Sequence, residues 1–287
     1  MELKNLQPKI FQEFHRILQQ GKLSHAYLFT GNFGSFEMAL FLAQSQFCEN
    51  LQDSLPCGHC RECRLIAEGD FSDVKVIEPQ GNVIKTDTIR ELLRDFSRSG
   101  FEGQSQVFII RDADKMHTNA ANSLLKFIEE PQSSSYMILV TSDDGKVLPT
   151  IKSRCQIFHF PKNETYLQTQ LENAGLLKDK ARLIAAVADD EADALAITEM
   201  PKFDEIWRSL DKFVRDLETH QDQAFLQVSR LSSLAGDKSE QDLIFKLLLV
   251  MLREAQNVAA VSKLYQTRQM WLSNVSFQNV LEYMVLL

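Results

Sequence analysis

Alternating strand-like and helix-like segments in the first 160 residues are the feature that most constrains the fold of this chain. Short, almost uninterrupted apolar runs are typical of strands buried on both faces of a sheet. Five segments have this character: Ala26–Thr30, Val74–Ile77, Val107–Ile110, Tyr136–Val140 and Ile157–Phe160. Apolar residues recur at helical spacing around 10–21, 35–48, 86–96 and 118–131, the last segment ending at Pro131. The alternation predicts an α/β fold with a parallel sheet flanked by helices.

The pattern changes at Pro161, after which only helical patterns occur. The predicted helical segments are Tyr166–Gly175, Asp179–Asp189, Ala192–Glu199, Phe203–Glu218, Gln221–Leu234, Ser239–Leu264 and Met270–Leu287. Within them, Leu243–Leu252 is apolar on nearly every side, which is typical of a helix inside a bundle. We therefore predict three domains, an α/β module at 1–160, a small helical domain at 161–199 and a larger helical domain at 200–287.

The loop that follows the first predicted strand has only part of a phosphate-binding motif. A loop of the form G-x-x-x-x-G-K-[ST] is expected there, and Gly31 supplies its first glycine, with Gly34 inside the loop. Phe36, Glu37 and Met38 stand where the second glycine, the lysine and the hydroxyl residue belong. A carboxylate repels phosphates, and a thioether is a poor ligand for Mg²⁺. We expect that this chain neither binds nor hydrolyses ATP.

Four of the five cysteines, Cys48, Cys57, Cys60 and Cys63, lie within sixteen residues. In a chain expected to be cytoplasmic, such a cluster is more typical of a metal site than of disulfides. Four sulfur ligands fit a closed tetrahedral Zn²⁺ site, which would be structural. Buried free thiols, a redox dithiol and a ligand role for His59 are the alternatives, and Cys155 stands apart from the cluster.

Composition argues against two classes of protein. The chain of 287 residues has a formal net charge of −8, which opposes binding to DNA through net charge alone. Met1–Lys4 begins no secretory signal, and no apolar run reaches about 18 residues, so we expect no membrane span. Together these features predict a cytoplasmic protein.

Four motifs occur in order along the chain. They are Leu23–Phe29, Pro56–Cys63, Asn122–Pro131 and Leu148–Gln156. In these motifs the chain resembles the bacterial clamp-loader subunits of the AAA+ class, and its degenerate loop makes it most similar to the delta-prime type of DNA polymerase III. The resemblance covers residues 20–160 and implies an AAA+-like module with a zinc insertion at about 48–63, a helical lid and a helical collar for oligomerisation.

The resemblance also implies that the catalytic elements are degenerate. Where an ATPase of this family has Asp-Glu after a strand, this chain has Arg111 and Asp112. Ala192 occupies the expected place of the sensor-2 arginine. Thr141 and Ser142 lie at the sensor-1 position, where we expect ordinary turn residues. We expect no intrinsic catalysis, although the chain would be a subunit of a DNA-directed DNA polymerase holoenzyme, a nucleotidyltransferase.

One functional motif remains, Ser153-Arg154-Cys155. In the family, this arginine reaches the ATP of a neighbouring subunit, where a planar cation can stabilise charge on the transferring phosphate. The resemblance thus implies an arginine finger at Arg154 that acts in trans. The alternative is a surface arginine that pairs with a carboxylate on a helix.

The implied function is that of a non-hydrolysing stator in the ATP-dependent loading of a sliding clamp onto primed DNA. The implied partners are gamma/tau motor subunits and delta, with the clamp and primer-template DNA contacted through the complex at replication forks. Two alternatives remain open: a divergent ATP-hydrolysing gamma/tau-type motor, and a zinc-dependent module that binds nucleic acid.

Overall fold

The first half of the chain forms a five-stranded parallel sheet flanked by helices. The structure, a computed structural model, describes residues 2–96, 105–130 and 134–286. The strands are β1 (Ala26–Thr30), β2 (Val74–Ile77), β3 (Ser105–Ile110), β4 (Ser134–Thr141) and β5 (Gln156–His159). Their order is β2-β3-β4-β1-β5, and every neighbouring pair is parallel. The predicted fold class is confirmed.

The helices of the first half connect these strands. They are α1 (Glu2–Leu6), α2 (Pro8–Gln19), α3 (Ser35–Phe47), α4 (Arg61–Glu68), α5 (Thr86–Phe96), α6 (Thr118–Glu129) and α7 (Pro149–Lys152). Helix α6 begins after His117, which makes no side-chain capping bond. The predicted end of this helix at Pro131 lies outside the described residues.

Residues on either face of the sheet form two separate apolar clusters, as the alternation of side chains along a strand requires. On β1, Tyr27 and Phe29 point into a cluster with Phe14, whose ring centroid lies 4.4 Å from that of Phe158. Leu28 faces the opposite cluster, which includes buried residues of α5 and α6. Because both faces of β1 are buried, the strand is almost entirely apolar from Ala26 to Phe29, and the loop after β1 starts from a fixed position.

The second half of the described chain is entirely helical. Its helices are α8 (Glu164–Asn173), α9 (Lys178–Val187), α10 (Glu191–Glu199), α11 (Phe203–Thr219), α12 (Gln221–Leu234), α13 (Lys238–Glu254), α14 (Val258–Leu272) and α15 (Phe277–Leu286). Most of Leu243–Leu252 is buried within α13, as its apolar character predicted. None of the described helices is long and apolar enough to cross a membrane.

Two predicted helix boundaries are wrong. The segment predicted as one helix over Ser239–Leu264 is divided between α13 and α14, because Gln256 has a left-handed backbone with φ 56° and Asn257 caps the new helix. The side chain of Asn257 accepts a hydrogen bond from the Ala260 N–H over 2.8 Å. The segment predicted to start at Met270 is likewise divided at Asn274, whose φ is 66°.

The chain divides into two compact units, Met1–Asn163 and Glu164–Leu287. The first contains the whole sheet, and the second contains α8 to α15. The further division of the second unit into a lid and a collar near residue 200 stays a prediction.

Candidate functional site

The loop between β1 and α3 is closely packed against other parts of the first unit. Gly31 has φ 101°, and a Cβ there would overlap the backbone carbonyl of Phe160. Gly34 has φ 79°, and a Cβ there would lie 2.9 Å from a methyl group of Leu6 in α1. The positive φ of both glycines, and at Gly31 also the close backbone carbonyl, are reasons for glycine that are independent of phosphate.

Hydrogen bonds from the chain itself also occupy the loop. Buried Gln7 donates from Nε2 to the carbonyl oxygens of Phe33, over 2.9 Å, and Pro161, over 2.6 Å. The hydroxyl of Ser35 donates to the Gly31 carbonyl over 2.6 Å, so this side chain bonds within the loop. The loop is therefore held in place by protein groups alone.

The three residues that replace the motif lie in different environments. Met38 is fully buried in the core cluster of the sheet, whereas Glu37 is exposed on the first turn of α3. Phe36 is partly buried, and its ring lies under the guanidinium of Arg111, 4.2 Å from the ring centroid. This is a cation–π contact, in which the cation is attracted by the face of the ring.

Arg111 also forms an ion pair across the sheet edge. Its Nη1 lies 2.5 Å from Oε1 of Glu78, which follows β2. The Arg111 cation is thus engaged by a carboxylate and an aromatic ring at the end of β3, where an ATPase would present its magnesium ligand. We call Phe36, Glu78 and Arg111 the Arg111 stack. The stack was not predicted, because nothing in the local sequence pattern links residues 36, 78 and 111.

Thr141 is more than a turn residue. It is the buried last residue of β4, and its hydroxyl donates to Oδ1 of Asp114 over 2.7 Å. The prediction of an ordinary turn residue is therefore wrong, since this bond ties the end of β4 to the turn after β3. Asp112 has φ 49°, and its carboxylate pairs with Lys115 at 3.0 Å.

The four predicted metal ligands lie together. The sulfur atoms of Cys48, Cys57, Cys60 and Cys63 are all within 4.8 Å of one another, and those of Cys48 and Cys60 are 3.9 Å apart. A tetrahedral Zn²⁺ with Zn–S bonds of about 2.3 Å requires sulfur separations of about 3.8 Å. The cluster therefore has the donor set and the spacing for a metal such as zinc.

Two helix ends and one tight turn bring the ligands together. Cys48 is the C-terminal cap of α3, and Cys60 is the N-terminal cap of α4. Gly58 has φ 75°, which allows the knuckle between Cys57 and Cys60. His59 is exposed, and its Nδ1 lies 2.9 Å from the Cys57 carbonyl oxygen, away from the cluster of sulfurs.

Backbone N–H groups point at the sulfurs. The N–H groups of Cys57, Cys60 and Cys63 donate to the sulfurs of Cys48, Cys57 and Cys60 over 3.3, 3.3 and 3.4 Å. A hydrogen bond from the His59 N–H is the main reason that the pKa of the Cys57 thiol is lowered to about 6. Burial raises the pKa of the Cys48 and Cys63 thiols. A bound Zn²⁺ would deprotonate all four thiols.

The loop between the ligands is anchored to α2. The ring Nε2 of His15 lies 3.0 Å from the carbonyl oxygen of Asp53, and Gln19 Nε2 donates to Asp53 Oδ1 over 2.8 Å. Asp53 and Ser54 both have positive φ, at 50° and 63°. A metal that fixed the cysteines would therefore also hold this loop against α2.

Arg154 lies in the segment between α7 and β5, with its side chain 37% exposed. Its Nε donates to Oε1 of Glu129 over 2.6 Å, and its Nη1 donates to the Thr150 carbonyl over 3.0 Å and to the Ser153 hydroxyl over 3.3 Å. The pairing with a helix carboxylate, which was the alternative interpretation of Arg154, is present. Cys155 is partly buried against the second core cluster, and burial raises its pKa to about 12.

Comparison with known proteins identifies the family. Residues 6–164 match the family model described as DNA polymerase III, delta subunit. The DNA polymerase III subunit delta' of Bacillus subtilis (strain 168) is 32% identical over 261 residues, which cover 90% of this chain and 79% of that protein. Delta' of Escherichia coli (strain K12) is 31% identical over 180 residues, covering 61% of this chain and 54% of that protein.

Two further comparisons concern the gamma/tau branch. DNA polymerase III subunit tau of Escherichia coli (strain K12) is 32% identical over 194 residues, covering 63% of this chain and 30% of that protein. The crystal structure of a gamma subunit-related protein from Thermotoga maritima superposes with a TM-score of 0.51 at 18% identity and 96% coverage of both chains, a likeness of fold alone. The family model and the Bacillus subtilis relative together show that the chain belongs to the delta-prime family of DNA polymerase III clamp-loader subunits, which act in DNA replication.

Proposed function

We propose that this chain is the non-hydrolysing stator of a bacterial replicative clamp loader. It supports ATP-dependent loading of the sliding clamp onto primed DNA, in the cytoplasm at replication forks. Its partners are gamma/tau motor subunits and delta, and it reaches the clamp and primer-template DNA through the complex. The observation that carries the proposal is the Arg111 stack, in which Glu78 and Phe36 occupy the cation that could otherwise face a phosphate.

Charge is the physical basis of the proposal. Phosphate binding needs a cation that can face the phosphates, together with a metal held by carboxylate or hydroxyl oxygens. Here Arg111, a cation beside the loop, is engaged by Glu78 and Phe36. Glu37 adds negative charge to the first turn of α3, and Met38 is buried in the core. These features support a chain that binds no ATP and has no catalysis of its own.

The catalytic contribution of the stator is Arg154, supplied in trans. Arg154 is partly exposed and permanently charged, and its planar guanidinium can donate to two phosphate oxygens at once. An arginine finger of this kind makes hydrolysis at the neighbour depend on correct assembly.

The zinc site in this proposal is structural. Cys48, Cys57, Cys60 and Cys63 hold Zn²⁺ with four sulfurs and leave no position for substrate. The metal fixes the end of α3 to the start of α4, and the anchored loop at Asp53 connects that brace to α2.

The competing function is a divergent ATP-hydrolysing motor of the gamma/tau type, favoured by the 32% identity to tau. Titration of the purified chain with a fluorescent ATP analogue and Mg²⁺ distinguishes the two. We expect no saturable binding at millimolar nucleotide. Binding that disappears when the Gly31–Met38 loop is changed would instead establish the motor.

The finger role is tested by Arg154→Ala in a complex reconstituted with the cognate motor and delta subunits. We expect assembly to be unchanged and hydrolysis at the one site that receives Arg154 to slow by about 10³-fold or more. Arg154→Lys should restore little, because lysine lacks the planar fork. Arg215→Ala, which removes an exposed arginine paired with Asp211 on α11, is the matched control. Equal DNA-dependent ATPase rates for Arg154→Ala and the control would remove the finger role.

A further inference from the structure

Arg154 is folded back onto its own chain. Its Nη1 donates to the carbonyl oxygen of Thr150, four residues earlier, and its Nε donates to Glu129, the last residue of α6. Bidentate binding of phosphate uses Nη2 together with either Nε or Nη1, and here Nε and Nη1 both donate to acceptors of this chain. Arg154 must therefore give up at least one of these contacts before it can bind a neighbour's phosphates bidentately.

The end of α6 is a suitable place to hold a cation. The unpaired carbonyl groups at a helix C-terminus carry partial negative charge, which attracts an arginine and disfavours an unpaired carboxylate. Glu129 lies in this last turn, and its side chain is 47% exposed. Arg154 thus neutralises the carboxylate at this helix end.

The position of Glu129 is fixed from outside its helix. The ring Nε2 of His25, at the start of β1, lies 2.9 Å from the carbonyl oxygen of Ile128. Because a carbonyl only accepts, Nε2 must carry the proton and donate it. The Glu130 N–H also closes the last turn of α6 by donating to Lys126 over 2.9 Å. The carboxylate that meets Arg154 therefore projects from a fixed helix end.

We propose that Glu129 is a positioning residue that holds Arg154 in a stowed state, from which the phosphates of a neighbour's nucleoside triphosphate release it. This inference rests on the proposed finger role. A triphosphate carries more negative charge than one carboxylate and can accept both edges of the guanidinium, so it competes for Arg154. The ion pair of Arg154 with Glu129 is then replaced by an ion pair with phosphate. Arg154 therefore engages the neighbouring site when that site holds a nucleotide.

The size of the effect follows from the exposure of the pair. Ion pairs between exposed side chains are weak, so stowing leaves a substantial fraction of Arg154 free. Only chains in which Arg154 is free can engage the neighbour's triphosphate. The apparent affinity for that triphosphate is therefore the intrinsic affinity multiplied by the free fraction. Removing the Glu129 charge should therefore lower the half-saturating ATP concentration of the reconstituted complex by about two- to sixfold.

The experiment compares Glu129→Gln with Glu130→Gln in the reconstituted complex. Both substitutions remove one exposed carboxylate from the same end of α6, but only Glu129 pairs with Arg154. For Glu129→Gln we expect a lower half-saturating ATP concentration, with kcat equal to or above that of the wild type. Glu129→Asp, which keeps the charge, should have a half-saturating ATP concentration close to that of the wild type. In the free chain, the NMR signal of Arg154 Nε–H should shift in Glu129→Gln and not in Glu130→Gln.

The outcomes separate the two proposals. If Arg154→Ala slows the complex but Glu129→Gln behaves like Glu130→Gln, the stowed state is refuted and the finger stands. If Glu129→Gln lowers kcat at an unchanged half-saturating concentration, Glu129 orients the finger instead, and the inference is likewise overturned. If Arg154→Ala leaves the rate unchanged, the proposed finger fails and the stowing fails with it.

Discussion

Gly31→Ala is the substitution that most directly tests the packing of the degenerate loop. The backbone of Gly31 has φ 101°, which L-residues rarely adopt, and a new Cβ would lie 3.1 Å from the carbonyl carbon of Phe160 and overlap its oxygen. Neither contact partner is the end of a flexible side chain, because both atoms belong to the backbone after β5. The loop or the end of β5 must therefore move to accommodate one methyl group.

The expected loss has two parts. A strained backbone conformation costs about 1–3 kcal/mol, and overpacking costs about another 1–3 kcal/mol. The two costs add to about 2–6 kcal/mol, with a midpoint of about 4 kcal/mol. This is a large share of the free energy of unfolding of a typical domain, which is roughly 5–15 kcal/mol. With a urea dependence of about 2 kcal/mol per molar, the unfolding midpoint should fall by about 2 M.

Gly81→Ala is the matched control for the backbone part. Gly81 lies in the same unit with φ 70°, and a Cβ there would meet nothing within 4 Å. Only the left-handed backbone cost of about 1–2 kcal/mol applies, so its midpoint should fall by about 0.5–1 M. Urea unfolding followed by far-UV circular dichroism measures both variants, and hydrogen exchange in β1 and β5 locates the loss. If Gly31→Ala is no less stable than Gly81→Ala, the close approach to Phe160 is refuted.

Three further predictions concern the metal, a thiol and the loop. Protein purified without chelators should contain one zinc per chain by mass spectrometry, and Cys63→Ser should lose it; metal-free wild type would contradict the site. Since burial raises the pKa of Cys155 to about 12, its neutral thiol contributes stability below about pH 9, and this contribution is lost as the pH approaches 12. Alkylation of native Cys155 should therefore stay slow at pH 8 and become fast on unfolding. Glu37→Lys combined with Met38→Thr should not create ATP binding in a nucleotide titration, because the Arg111 stack remains.

The strands were predictable because their apolar runs are local signals. The bounds of β1 and β2 agree with prediction, and β3, β4 and β5 differ by one or two residues at their ends. The order β2-β3-β4-β1-β5 was not predicted, since it depends on crossovers between segments far apart in the chain. The missed helix breaks had a partial signal: Asn257 is a good capping residue, but a left-handed Gln256 has no mark in the sequence.

The candidate sites also differ in how far the sequence alone predicts them. The four cysteines were predictable as one group, because their spacing within sixteen residues leaves little freedom in how they meet. The partner of Arg154 was predictable only as some carboxylate on a helix. Its identity as Glu129, 25 residues earlier, requires the register of α6 against the segment before β5. The Arg111 stack joins residues from three different segments and left no local signal.

The loop after β1 shows how packing and phosphate binding place separate requirements on one segment. Gly31 is required by the close carbonyl of Phe160, and Gly34 is favoured by its backbone φ of 79°, whether or not phosphate is present. Phe36, Glu37 and Met38 occupy the positions where the motif requires glycine, lysine and a hydroxyl residue, and these are the positions that depart from it. The glycines are therefore evidence of how the loop packs, whereas the residues that follow them are evidence of whether it can bind phosphate. A nucleotide function inferred from Gly31 alone would thus rest on a residue that the sheet requires for its own packing.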